Sequence, residues 1–245
     1  MNAIAYDRNG VASAPIIQNV EVTIRGTTTT SAATATMEVY AHNGMSYWLY
    51  TPANAADNMP LIVYLHGNHS KSDDPSQLVV SDSFSNMLYE GKLGNVPAYV
   101  LIPQLNATEK GWISIREDVM DLVNTVAETF LIDRSNISLT GFSIGGSATW
   151  TIGAVYHDTF ARIAPCAGSV ELSDEVLQQL SKLSIWAFIG AEDTVVNPQA
   201  TRDCAAALSE REASIQVTEY DGVTHTEVPE LAYTEPNLVR WLIGQ

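Results

Sequence analysis

Ser143 carries the group in this chain best placed to do chemistry. It sits in Gly141-Phe142-Ser143-Ile144-Gly145, directly after the apolar run Ile137-Ser138-Leu139-Thr140. A serine hydroxyl is a weak nucleophile until an imidazole takes its proton, and the imidazole works best when a carboxylate fixes its tautomer. Glycines two positions either side of the serine let a strand turn sharply into a helix and leave the hydroxyl exposed at the sheet edge. In that arrangement the acid and then the base follow the serine along the chain. Two histidines lie downstream, His157 and His225. His157 falls near the end of the helix that would begin at the turn, where a surface or capping role is expected. His225 lies in Gly222-Val223-Thr224-His225-Thr226, just past the strand-like residues 215–220, and is the expected general base. Asp193 follows the apolar run Ile185-Trp186-Ala187-Phe188-Ile189, at the end of a strand where open α/β sheets place their sites, and is the expected acid. Glu192 is the nearest alternative. Asp174, Asp203 and Asp221 fall in or beside helices or in the His225 turn.

Attack on a carbonyl also needs N–H groups aimed at the developing oxyanion, each typically worth ~3–4 kcal/mol. Ile144, the residue after the serine, supplies one expected donor. A second comes from the loop after the apolar run Leu61-Ile62-Val63-Tyr64-Leu65, with Asn68 first and Gly67 next. His66 is expected to brace that loop by hydrogen bonding. Loops that should meet at the same edge supply candidate substrate-binding residues: His69, Gln104, Trp112, Cys166 and Val195, with Ser169 and Val196 beside them.

The elements that must position these groups are legible as alternating patterns. Apolar runs at 61–65, 98–102, 137–140 and 185–189 read as buried strands of a mostly parallel sheet. Between them lie helical segments, the clearest at 116–130, where Val119, Val123, Val126 and Phe130 form one stripe that reads as core. Further helices are expected within 77–89 and near 174–182, 199–210 and 236–243. Residues 1–43 differ in character. Val20 to Arg25 alternates like a strand and Ala35 to Tyr40 reads as its hairpin partner, so this segment is expected to extend the sheet, continued by 45–51. The whole chain, 1–245, reads as one domain. Between Pro165 and Lys182 there is room for only one short helix, so an open cleft without a large lid is expected.

The net charge of −16 argues against nucleic acid and anionic membrane surfaces as partners. No apolar stretch is long enough to span a bilayer. No charged segment followed by an apolar run opens the chain, so no signal peptide is visible; a soluble protein is expected, with the compartment left open between cytoplasm and exterior. The two cysteines, Cys166 and Cys204, make neither a disulfide framework nor a metal site, and two free buried thiols are expected. No ligand spacing or phosphate-cradling loop implies a metal or other cofactor. Oligomeric state is not encoded in any of these patterns.

Taken in order, Pro60 to Gly67, Leu139 to Gly146, Phe160 to Pro165, the Asp193 segment and the closing Pro236 to Leu242 stretch resemble the α/β-hydrolase superfamily, from about Tyr47 to the C-terminus. Within it the chain is similar to compact carboxylesterases: feruloyl and acetyl-xylan esterases, polyhydroxybutyrate-depolymerase-like proteins and phospholipase/carboxylesterase relatives. The run Asn68-His69-Ser70-Lys71 departs from the Gly-rich stretch that relatives often carry there. The resemblance implies hydrolysis of carboxylic esters, in relatives whose individual substrate preferences differ. The open cleft favours short-chain or aromatic (acetyl or feruloyl) acyl groups over long triglycerides, and a small ester, plant cell-wall-derived, is the expected substrate. A peptidase using the same three groups, and a catalytically silent binding module, are the competing readings.

Overall fold

The computed structural model describes residues 19–21 and 34–245. Among the described residues nine strands form one sheet: β1 (Asn19–Glu21), β2 (Thr36–His42), β3 (Met45–Thr51), β4 (Leu61–Leu65), β5 (Tyr99–Pro103), β6 (Ile137–Phe142), β7 (Arg162–Cys166), β8 (Ser184–Gly190) and β9 (Ile215–Tyr220). Their order is β1-β2-β3-β5-β4-β6-β7-β8-β9. The first four neighbours in that order pair antiparallel, and every later pair is parallel. The N-terminal strands therefore extend the sheet as the alternation predicts, although 22–33, part of the expected hairpin, lies outside the described residues.

Eight α-helices among the described residues cover the sheet: α1 (Leu78–Ser81), α2 (Ser83–Tyr89), α3 (Arg116–Thr129), α4 (Ile144–Val155), α5 (Asp174–Leu180), α6 (Gln199–Ser209), α7 (Val228–Tyr233) and α8 (Leu238–Leu242). Every residue of β4 is buried because both faces of the sheet are covered. Side chains alternate across a strand, so Leu61, Val63 and Leu65 join one core with Val119, Val123 and Val126 of α3. Ile62 and Tyr64 point the other way, into a second core with Phe84 and Leu88 of α2 and Tyr233 of α7. β9 closes the sheet on one side, and none of its residues is fully buried.

Between β7 and β8 the only helix is α5, started by Ser173, whose side chain accepts from the Val176 N–H. The expected open edge without a large lid is what the chain forms. Parallel register then aligns the strand ends. Leu65 faces Gly141, Phe142 faces Cys166 and Gly190 faces Tyr220, so the segments after β4, β6, β7, β8 and β9 emerge together.

Candidate active site

Ser143 stands between β6 and α4 with φ +57° and ψ −116°, a conformation that side-chain-bearing residues avoid. Such strain costs on the order of 1–3 kcal/mol and persists only where the surroundings over-determine it. Here the Ser143 N–H donates to the Cys166 carbonyl at 3.0 Å, and the Ser147 N–H returns to the Ser143 carbonyl at 2.8 Å. The flanking glycines answer to close approach. A Cβ on Gly141 would lie 2.5 Å from the Leu65 carbonyl oxygen, and one on Gly145 would overlap that same oxygen. The first turn of α4 thus rests directly on the end of β4, which no larger residue permits.

The structure brings Ser143, His225 and Asp193 together. His225 Nε2 lies 2.9 Å from Ser143 Oγ, and His225 Nδ1 lies 2.7 Å from Asp193 Oδ2. The carboxylate can only accept, so Nδ1–H donates to Asp193 and leaves Nε2 free to accept from the hydroxyl. Asp193 and His225 are both 7 % exposed. The other carboxylate oxygen, Oδ1, accepts from the N–H groups of Val195 and Val196, each at 2.8 Å, so the side chain cannot rotate. The Glu192 N–H donates to the Val223 carbonyl, stitching the acid loop to the base loop, while the Glu192 side chain is exposed and out of the pairing. Glu227 accepts from both the N–H and the hydroxyl of Thr224, fixing the turn before His225. The ring of Phe142 lies 4.9 Å from that of His225 and forms a wall of the imidazole's slot.

Behind the reacting groups, the loop after β4 is held from several sides. His66 is fully buried; its Nδ1–H donates to the Gly67 carbonyl at 2.8 Å and its Nε2 accepts the Leu105 N–H at 3.0 Å. Burial lowers the pKa of this imidazole, which favours the neutral form that can accept. Trp112 Nε1–H donates to the His66 carbonyl at 2.9 Å, and the exposed His69 donates to the Ser81 carbonyl at 2.8 Å. Among the described residues the Ile144 and Asn68 N–H groups have no hydrogen-bond partner, and both belong to segments that meet where Gly145 packs on β4.

Three expected wall residues are corrected by burial. Trp112, Gln104 and Cys166 are each 1 % exposed. Trp112 is spent on the His66 carbonyl and the core, and the Gln104 nitrogen on the Ser70 and Leu105 carbonyls. Cys166 faces the second core, where burial pushes its thiol pKa well up. Cys166 and Cys204 are free and buried. Val195 stays exposed beside Asp193, and His69 is exposed on its loop. One polar pair at this edge was not anticipated: Ser147 Oγ lies 3.0 Å from Ser169 Oγ and accepts the Ser169 N–H. The helical spacing from Ser143 to Ser147 would have signalled it, since residues four apart share a face.

A mostly parallel sheet with antiparallel N-terminal strands, and a serine on a strained strand-to-helix turn, define an α/β-hydrolase fold. The chain belongs to the dienelactone hydrolase family, whose sequence profile matches residues 103–230, just over half of it. It is 27 % identical over 160 residues to the bifunctional acetylxylan esterase/xylanase of Neocallimastix patriciarum, a match covering 64 % of this chain and 22 % of that protein. The chain therefore spans about a fifth of the length of that relative. Among solved structures, a thermostable esterase superposes with TM-score 0.70 at 21 % identity, covering 85 % of this chain and 62 % of that one. A ferulic acid esterase from Anaeromyces mucronatus superposes with TM-score 0.61 at 18 % identity, covering 84 % and 89 %. At these identities the superpositions establish the shared fold.

Proposed function

We propose that this protein is a serine carboxylesterase acting on short-chain or aromatic acyl esters of the acetyl or feruloyl type. The observation that carries the reading is the continuous relay from Asp193 through His225 to Ser143, at 2.7 and 2.9 Å. In this reading the Ser143 hydroxyl attacks the ester carbonyl while His225 Nε2 takes its proton. The N–H groups of Ile144 and Asn68 receive the oxyanion, and the alcohol leaves with the proton from His225. Water, activated by the same imidazole, then releases the acid from the acyl-enzyme. The strained serine supports this, because strain of this kind gathers at sites where a group must be presented rather than packed. Similarity to an acetylxylan esterase/xylanase supports an ester attached to plant cell-wall polysaccharide as substrate class.

The test compares p-nitrophenyl acetate and methyl ferulate with peptide anilides, alongside labelling by a fluorophosphonate. Ester turnover that disappears in Ser143→Ala together with the label is the expected result. Faster cleavage of anilides would replace the esterase reading with a peptidase. An unlabelled, inactive wild-type protein would leave a binding module.

A further inference from the structure

The base of the relay stands on a turn with almost no packing of its own. β9 ends at Tyr220 and α7 begins at Val228, and of residues 221–227 between them only His225 is buried. Among the described residues neither the N–H nor the carbonyl of His225 has a hydrogen-bond partner. The direction of its ring is therefore set by the residues on either side. Upstream, the Val223 carbonyl accepts the Glu192 N–H at 3.1 Å and lies against the end of β8, where a Cβ on Gly190 would stand 2.4 Å from its oxygen. That ties the turn to the acid loop.

Glu227 is the downstream anchor. Its Oε2 accepts the Thr224 N–H at 2.9 Å and the Thr224 hydroxyl at 2.5 Å. Its own N–H returns to the Thr224 carbonyl at 3.2 Å. Three hydrogen bonds thus close a cycle around His225 and Thr226. Thr-x-x-Glu is the spacing of a helix capping box, whose hydroxyl accepts a backbone N–H of the first turn. Here the hydroxyl is spent on the carboxylate instead, and the carboxylate caps no N–H of α7 although Glu227 stands at its N-cap. The bonds from Thr224 hold the Glu227 carboxyl below its ordinary pKa, so at neutral pH it is ionised and accepts only. Thr224 and Glu227 are both exposed, where substitutions change global stability little. The effect of the cycle falls on what it encloses.

One ring must satisfy two bonds: His225 Nε2 lies 2.9 Å from Ser143 Oγ, and Nδ1 lies 2.7 Å from Asp193 Oδ2. A displaced turn lengthens one or both, and a misplacement of about 1 Å costs on the order of a hundredfold in rate. We propose that Glu227 is a positioning residue of this site, which holds the imidazole in register with Ser143 and Asp193 through its grip on Thr224. It touches neither substrate nor reacting atoms. The proposal rests on the esterase reading.

The test compares Glu227→Ala, which opens the cycle, with Glu227→Gln, which keeps an acceptor oxygen and discards the charge. In Glu227→Ala, kcat on p-nitrophenyl acetate should fall about tenfold with KM within about twofold. Its melting temperature should drop by less than about 4 °C. Glu227→Gln should recover kcat to within about threefold of wild type. Adding Thr224→Val to Glu227→Ala should lower kcat no further, because the two residues act as one unit. Unchanged kcat in Glu227→Ala, a loss carried in KM, a larger fall in melting temperature or additive losses in the double variant each overturn the assignment. So does a glutamine variant as impaired as the alanine one, by showing that charge acts and the turn does not. A wild-type protein inert toward esters would instead sink the esterase reading. The rate of labelling by a fluorophosphonate then decides the role of Glu227. Labelling slowed about tenfold in Glu227→Ala and restored in Glu227→Gln upholds it. An unchanged rate, or no label on the wild type, overturns it.

Discussion

Asp193→Asn is the substitution whose consequence the structure fixes most tightly. Asp193 Oδ1 accepts two backbone N–H groups, from Val195 and Val196, each at 2.8 Å. An asparagine must keep its carbonyl oxygen toward those donors, because turning it over would oppose an NH₂ to two N–H groups. Its NH₂ is then forced to face His225 Nδ1, which must become the acceptor. The proton moves to Nε2, and the imidazole presents N–H to Ser143 where it should present a lone pair. The base is lost although no atom has moved far. Loss of the correct tautomer in a triad of this kind lowers kcat about a thousand- to ten-thousand-fold, equivalent to ~4–5.5 kcal/mol of barrier. Initial rates on p-nitrophenyl acetate, with circular dichroism to show the fold intact, give the measurement. Glu192→Ala is the control, since that side chain is exposed and outside the relay. A folded Asp193→Asn protein within tenfold of wild type, or a Glu192→Ala protein equally crippled, would refute the reasoning.

The remaining expectations are simpler. Gly145→Ala forces a Cβ against the Leu65 carbonyl, backbone against backbone, and should cost about 1–3 kcal/mol or more; Gly111→Ala, with open space around it and extended φ, should leave the melting temperature unchanged in the same calorimeter. His66 has its pKa lowered by burial, so as pH falls through the unfolded value of ~6.5 the unfolded chain takes up a proton that the folded one refuses. Stability should therefore decline from about pH 6.5 downward, until the folded imidazole itself protonates and can no longer accept from Leu105; urea titrations across this range should show a shallower decline in His66→Gln. Burial raises the pKa of Cys166 well above its ordinary value and pushes that of Cys204 up to about 12. A disulfide-exchange reagent should consequently find no reactive thiol in the folded protein and two after denaturation.

Much of this arrangement was legible because its signals are local. The glycine spacing around Ser143, the placing of Asp193 just past an apolar run and that of His225 just past the strand-like residues 215–220 are fixed by the parallel strands they follow. The residues that misled sit in loops at the correct edge but point inward. Trp112, Cys166 and Gln104 could face either way by sequence, and only the partners waiting behind them decide it: the His66 carbonyl, the second core and the Ser70 carbonyl. α7 was hidden for another reason. Pro229 reads as a breaker, yet in the first turn of a helix its missing N–H has no intrahelical partner to lose. The amides that clamp Asp193 leave no trace in side-chain chemistry, since any residue has an N–H.

The imidazole of this relay follows a border strand of the sheet. Among the described residues β9 has a strand neighbour on one flank alone, and each of its residues is at least partly exposed. Such borders open at free energies well below that of global unfolding. Warming should then detach the base while the nucleophile stays seated over an intact centre, so that turnover vanishes at a lower temperature than tryptophan fluorescence reports melting. Hydrogen exchange faster in β9 than in β6 would be the accompanying sign.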